Sequence, residues 1–200
     1  MLGDIVIRES SSLVSLHLDA LSKVSGSIMI MSNNQLMRIH AGSLTVVEGG
    51  VTINTQAFLT EVSFPALVSV GGVVNIHDNT NLTAVSAGQL EVILGEVNIF
   101  GNRLLRIVKL PSLHRVGDAL QIYNNNLLMQ INANLLVHVE GLLSIHTNPF
   151  LSSAAFDSLM PLLGCVGAQQ LDQTDGWSAD FADRVDNAIL ALADGLEPCS

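Results

Sequence analysis

Six histidines and two cysteines are the side chains of this 200-residue chain with the widest chemical repertoire. His17 and His40 stand 23 residues apart, and the same interval separates Glu91 from His114 and Arg115 from His138. His77 and His146 stand three such intervals apart. Two imidazoles on neighbouring turns of a repeat come close enough to share a metal ion, but a zinc site needs three or four protein ligands and no third is evident beside His17 and His40. His77 and His146 are too far apart to share one, at about 14 Å by the spacing of stacked strands. The Glu91–His114 and Arg115–His138 pairs read as surface neighbours. Cys165 and Cys199 both lie near the C-terminus, with no zinc-type spacing. They are too few for a disulfide scaffold, and a single disulfide stapling that end is one arrangement open to them. No Ser-His-Asp or Cys-His grouping is apparent, and no phosphate-binding loop follows a strand. The expectation is therefore no enzymatic activity, no metal and no cofactor.

The 23-residue interval is an internal repeat. Seven units run without an insertion from Gly3, Gly26, Gly49, Gly72, Gly95, Asp118 and Gly141, the last ending at Leu163. Repeat positions 3, 5, 11, 14, 16, 19 and 22 are apolar throughout; in the fourth unit they are Val74, Ile76, Leu82, Val85, Ala87, Leu90 and Ile93. Positions 3 and 5 alternate with mostly polar neighbours, which is strand spacing. The later apolar residues predict a bend and then an extended or 3₁₀ return. No unit can bury its apolar side alone, so the units must stack into a solenoid, read here as built on one sheet.

Two polar positions fit the bends. Position 1 is glycine in six units, where the backbone turns sharply or approaches another closely. Position 8 is Asn33, Asn79, Asn102, Asn125 and Asn148, with Ser10 and Gln56 in the other units. An unpaired buried amide costs about 1–3 kcal/mol, so these side chains are expected to form a hydrogen-bonded structural ladder. Position 16 alternates large and small: Leu18, Ala41, Phe64, Ala87, Leu110, Ala133, Phe156. This predicts interdigitated packing with a two-coil period.

Composition agrees with such a stack. Hydrophobic residues make up 48% and charged residues only 13%, while aromatics at 4% leave an aliphatic core. The net charge of −10 argues against nucleic acid and against an anionic membrane surface. No apolar run is long enough to span a membrane, and Met1-Leu2-Gly3-Asp4 does not begin a signal peptide. Two regions are expected: a solenoid over 3–163 and a C-terminal cap over 164–200. Within the cap, Ser178 can start an amphipathic helix over about 179–193, with Phe181, Val185, Ile189 and Leu192 on one side and Trp177 before it. That helix could instead bind a partner. The N-terminus has no matching cap, so either the chain continues there in further repeats or a cap, which is the expectation, or this end pairs with another molecule.

The series Leu67, Val70, Gly72, Val74, Ile76, Asn79 and Leu82 resembles the receptor L-domain family, and the likeness recurs in every unit over about four-fifths of the chain. Ordinary leucine-rich repeats are similar but place one residue, not two, between the asparagine and the next leucine. The resemblance implies a mainly β, right-handed parallel β-helix-like solenoid outside the cell or at its surface, in a recognition role. The regularity is closer to microbial and fungal surface members than to growth-factor receptors.

Candidate binding residues lie at strand positions 4 and 6, which face away from the core. Position 6 holds Arg8, Met31, Asn54, His77, Phe100, Tyr123 and His146; beside the last four, position 4 holds Asn75, Asn98, Gln121 and Ser144. Exposed aromatics flanked by amides suit a protein or carbohydrate ligand. The alternative is that they only stabilise the sheet, as in a structural element of a wall or envelope protein. The face is too mixed for ice binding and lacks the charged cluster of a pectin-lyase-like enzyme. Asn81-Leu82-Thr83 is a glycosylation sequon of low specificity.

Overall fold

The structure, a computed structural model, describes residues 3–152 and 168–171. Their strands are all parallel and stack in coils, forming a β-solenoid with six complete coils and the opening strand of a seventh. Each complete coil starts with a four-residue strand at repeat positions 3–6, such as Ile28–Met31 or Val97–Phe100. A three-residue strand follows at positions 13–15 and a two-residue strand at positions 21–22. Within the repeats, every pairing joins a residue to the one 23 positions on, from Ile5↔Ile28 to His138 opposite Arg115. The register inferred from the sequence therefore holds without a slip.

Three parallel sheets result, not one: a front sheet of eight strands and two further sheets of six. No 3₁₀ or α-helical return occurs among the described residues. The reason lies in the apolar positions themselves. Position 14 is flanked by outward-facing residues, and position 22 follows one, so each return leg has its own strand alternation. The buried residues Leu16, Ile39, Val62, Val85, Val108 and Ile131 line the second sheet, and Val24, Val47, Val70, Ile93, Val116 and Val139 the third. Positions 11, 16 and 19 fill the corners between sheets, and all three walls enclose one aliphatic core.

The first corner has an unusual backbone. Position 7 lies in the left-handed region in every coil, at φ 54–56° for Glu9, Ser32, Thr55, Asp78, Asn124 and Thr147 and at φ 67° for Gly101. A non-glycine residue there costs roughly 1–2 kcal/mol. The next residue restrains it. At position 8, each backbone N–H up to Asn125 donates to the side-chain oxygen one coil ahead: Asn33 to Gln56 at 3.0 Å, Gln56 to Asn79 at 3.1 Å and Asn102 to Asn125 at 3.2 Å. Each side-chain nitrogen donates back to the position-5 carbonyl of the preceding coil, as from Asn79 to Ile53 (3.0 Å) and from Asn148 to Ile122 (2.9 Å). Four of the rungs also bond the carbonyl two residues earlier in their own coil. All six amide rungs are fully buried. Ser10 begins the column, with its hydroxyl accepting from Leu13 N in its own coil.

The glycines of position 1 serve close approach more than turning, since only Gly3 among them has a positive φ. A Cβ on Gly95 would lie 2.7 Å from the carbonyl carbon of Gly72, so backbone meets backbone at this corner.

The strand Ala168–Leu171 pairs with Leu142–His146 at an offset of 26, Leu142↔Ala168, and extends the front sheet into the region expected to be only a cap. The predicted helix over 179–193, Cys165 and Cys199 lie outside the described residues.

Asn102 accepts from Asn79 N (3.1 Å) and donates to the carbonyls of Ile76 (2.9 Å) and Phe100 (3.1 Å). Asn102→Ala should cost about 2–5 kcal/mol in urea unfolding by orphaning these buried groups; Asn102→Gln should cost clearly less, because Gln56 fills the same role. Beside Ala87, an apolar cavity of about 30 Å³ is bordered by Phe64, Val85 and Leu110, so the large-small alternation of position 16 does not fill all the space. Ala87→Val should stabilise by about 0.5–1 kcal/mol. Ala87→Phe should overpack and destabilise by about 1–3 kcal/mol, read as a lowered melting temperature.

Candidate recognition face

The front sheet brings His77, Phe100, Tyr123 and His146 into one column, because its register sets each directly opposite the next. The rings stack nearly flat: centroids are 4.7 Å apart for His77–Phe100, 4.8 Å for Phe100–Tyr123 and 5.0 Å for Tyr123–His146, with interplanar angles of 5°, 1° and 10°. These distances match the strand spacing of about 4.8 Å, so the sheet itself imposes the stack. All four rings are half-buried.

The column continues to Asn54, whose Nδ2 lies 3.2 Å from His77 Nε2. His77 Nδ1 lies 2.9 Å from Asp78 Oδ2. The Nδ1–H tautomer of His77 satisfies both contacts, donating to Asp78 and accepting from Asn54. At the other end, His146 Nδ1 contacts Thr147 Oγ1 at 2.9 Å. Beside the rings, Asn75, Asn98 and Gln121 form a half-buried row ending in buried Ser144. Asn98 Nδ2 donates to Glu96 Oε1 at 2.6 Å. Asn75 Oδ1 is buried and accepts no hydrogen bond among the described residues.

This geometry narrows what the face can bind. Each ring turns its flat sides to its neighbours in the column, so ring edges and amides face outward. A sugar that packs its C–H face on an aromatic plane finds those planes already covered. A partner that makes edge contacts and hydrogen bonds to amides meets no such obstacle.

The other titratable groups sit elsewhere on the surface. Ser15, His17 and Asp19 were not apparent from the sequence as a group, yet they line up on alternate residues. Ser15 Oγ is 2.8 Å from His17 Nε2, and His17 Nδ1 is 3.5 Å from Asp19 Oδ2. A strand-period search for Ser-x-His-x-Asp would have found them. Three features set the group apart from a nucleophile array. His17 and Asp19 are 62% and 48% exposed, the His–Asp distance is long for an orienting hydrogen bond, and Asp19 also faces His40 Nε2 at 3.6 Å. His17 and His40 meet edge to face at 6.2 Å. No group of three or more His, Cys, Asp or Glu side chains among the described residues is arranged to hold a metal ion.

Arg115 and His138 are register partners, and each faces Glu140, Arg115 in a close ion pair and His138 at 4.0 Å. Asn81 of the sequon donates its side-chain nitrogen to the Ala57 carbonyl at 2.7 Å. Among the described residues, no helix is long and apolar enough to cross a membrane.

Comparison with known proteins returns no match: neither a family model, nor a curated protein, nor a solved structure.

The Asp19 carboxyl is held below the ordinary carboxylate range, first by the Gly42 N–H that donates to it and then by the nearby His40 charge. A depressed folded-state pKa means that Asp19 contributes stability above its unfolded pKa and loses it as pH falls through the folded value. The stability gap between the natural protein and Asp19→Asn should be present at neutral pH and close in acid, below the ordinary carboxylate range, when both are unfolded by urea across pH.

Proposed function

We propose that this chain is a surface recognition module that binds a protein partner across the front sheet, centred on Phe100 and Tyr123. The carrying observation is the four-ring column, half-exposed on a parallel sheet and flanked by a row of amides. Tyr and Phe supply large contact area at low conformational cost, which favours them at binding hot spots. The half-buried Asn75, Asn98 and Gln121 give the hydrogen-bonding margin. Protein is preferred to glycan because the ring planes are covered by one another.

The repeat's resemblance to receptor L-domains supports the same reading and, with it, an extracellular or cell-surface location. On this reading the coils wind right-handed, as parallel crossovers nearly always do, and the C-terminal region adds a helical cap. No catalytic role, metal or cofactor forms part of it.

A second reading has an observation of its own. The same ring-on-ring stacking also stabilises the sheet, so the chain could serve as a structural repeat element of a wall or envelope with no discrete ligand. Selection of displayed random peptides on the immobilised protein separates the two, with a glycan array run in parallel. The recognition reading expects peptides that lose at least about tenfold in affinity on a folded Phe100→Ser/Tyr123→Ser double variant. Peptides that bind the variant equally well, or no enrichment at all, would favour the structural reading; binding only on the glycan array would overturn the preference for protein.

A further inference from the structure

The first coil differs from all the others in how it is buried. Ile7, Leu13, Leu18 and Leu21 are only partly buried, whereas their counterparts one coil on, Ile30, Leu36, Ala41 and Leu44, are fully buried. Among the described residues, the strand Ile5–Arg8 pairs on one side only, with Ile28–Met31, and the strand Ser15–His17 likewise ends its sheet. Among the described residues, the front sheet thus ends at this coil in the strand Ile5–Arg8.

The backbone of the first strand is oriented for pairing on that edge. Ile5 N donates to Ser27 O at 2.8 Å and Glu9 N to Met31 O at 3.1 Å, so the odd-numbered residues turn their N–H groups toward the second coil. Strand alternation then turns the N–H and C=O groups of Val6 and Arg8 toward the open edge. An exposed edge of this kind pairs readily with another chain. Here the exposed Val6 adds an apolar contact on the outer face.

The sequence of the edge is complementary to itself. In an antiparallel pairing of two copies of Asp4-Ile5-Val6-Ile7-Arg8, Val6 can face Val6 across a two-fold axis. That register sets Asp4 of each copy, whose Oδ1 also accepts from Ser27 N of its own chain at 2.7 Å, opposite Arg8 of the other on the solvent face, and Ile5 opposite Ile7 on the core face. Val6–Val6 and both Asp4–Arg8 pairs are then hydrogen-bonded pairs, each exchanging two backbone bonds. Shifting the register by two residues either way loses both charge pairs.

We propose that a second copy of this chain docks on the first coil, by two-fold antiparallel pairing of Ile5–Arg8 with its symmetry mate. The contact covers Ile7, Leu13, Leu18 and Leu21 and joins the two front sheets into one. It is independent of the ligand assigned to the ring column.

Sedimentation velocity of the 200-residue protein across the micromolar range tests it, with circular dichroism confirming the fold of each variant. The natural chain should sediment as a dimer. Arg8→Asp and Asp4→Arg, each alone, should weaken self-association at least about tenfold, because like charges then face each other across the axis. Mixed together, these two variants should form a one-to-one heterodimer, since every opposed pair is again of opposite sign. The Phe100→Ser/Tyr123→Ser variant should dimerise as the natural chain does. A monomeric natural chain, a dimer indifferent to both charge reversals, or a mixture of folded variants that fails to associate would each overturn the proposal.

Discussion

The structure depends on the requirement that every coil return to the same depth after 23 residues, and the buried amide at position 8 enforces it. Its N–H, its side-chain oxygen and its side-chain nitrogen are committed to the coil ahead, the coil behind and, in four rungs, the preceding strand of its own coil. A coil one residue longer or shorter would strand these groups in an apolar interior, where water cannot replace the lost partners. The aliphatic positions set how much surface is buried, but many aliphatic arrangements would bury as much. The amides select one of them.

The same constraint explains the tolerance of strain at position 7. Asp, Asn and Gly suit the left-handed conformation, while Thr55 and Thr147 do not. Yet the conformation recurs in every coil, because it aims the following amide into the stack. The corner is dictated by what comes after it. Position 1 shows the opposite logic: at Gly26, Gly49, Gly72, Gly95 and Gly141 a side-chain carbon would collide with the backbone of the coil before.

Much of this was legible in the residues. The period, the core positions and the ladder members follow from apolar spacing and from an asparagine that returns every 23 residues. The number of sheets was not, because two- and three-residue strands give too little alternation to tell a strand from a turn. The left-handed corner was hidden because six different residue types occupy it, glycine only once at Gly101. The strand Ala168–Leu171 was hidden because its offset of 26 breaks the period that revealed the rest. At the candidate face, the column of His77, Phe100, Tyr123 and His146 could be placed from the register alone. That the rings lie plane on plane, and so leave only edges to a ligand, needed the coordinates. So did the Ser15–His17–Asp19 row, whose members are unremarkable until the side chains of a strand and the turn after it are seen to meet.

The unbroken register has a consequence for how such a molecule can vary. Each coil meets its neighbours through the same set of bonds, so the interface between coils 2 and 3 has nearly the same bonding plan as that between coils 5 and 6. Genetic duplication or loss of one whole 23-residue unit would leave each remaining junction intact, whereas a change of a few codons inside a unit would not. The molecule's length is in effect quantised: it can be lengthened or shortened in steps of a single coil, and the extent of its front face changes in the same steps.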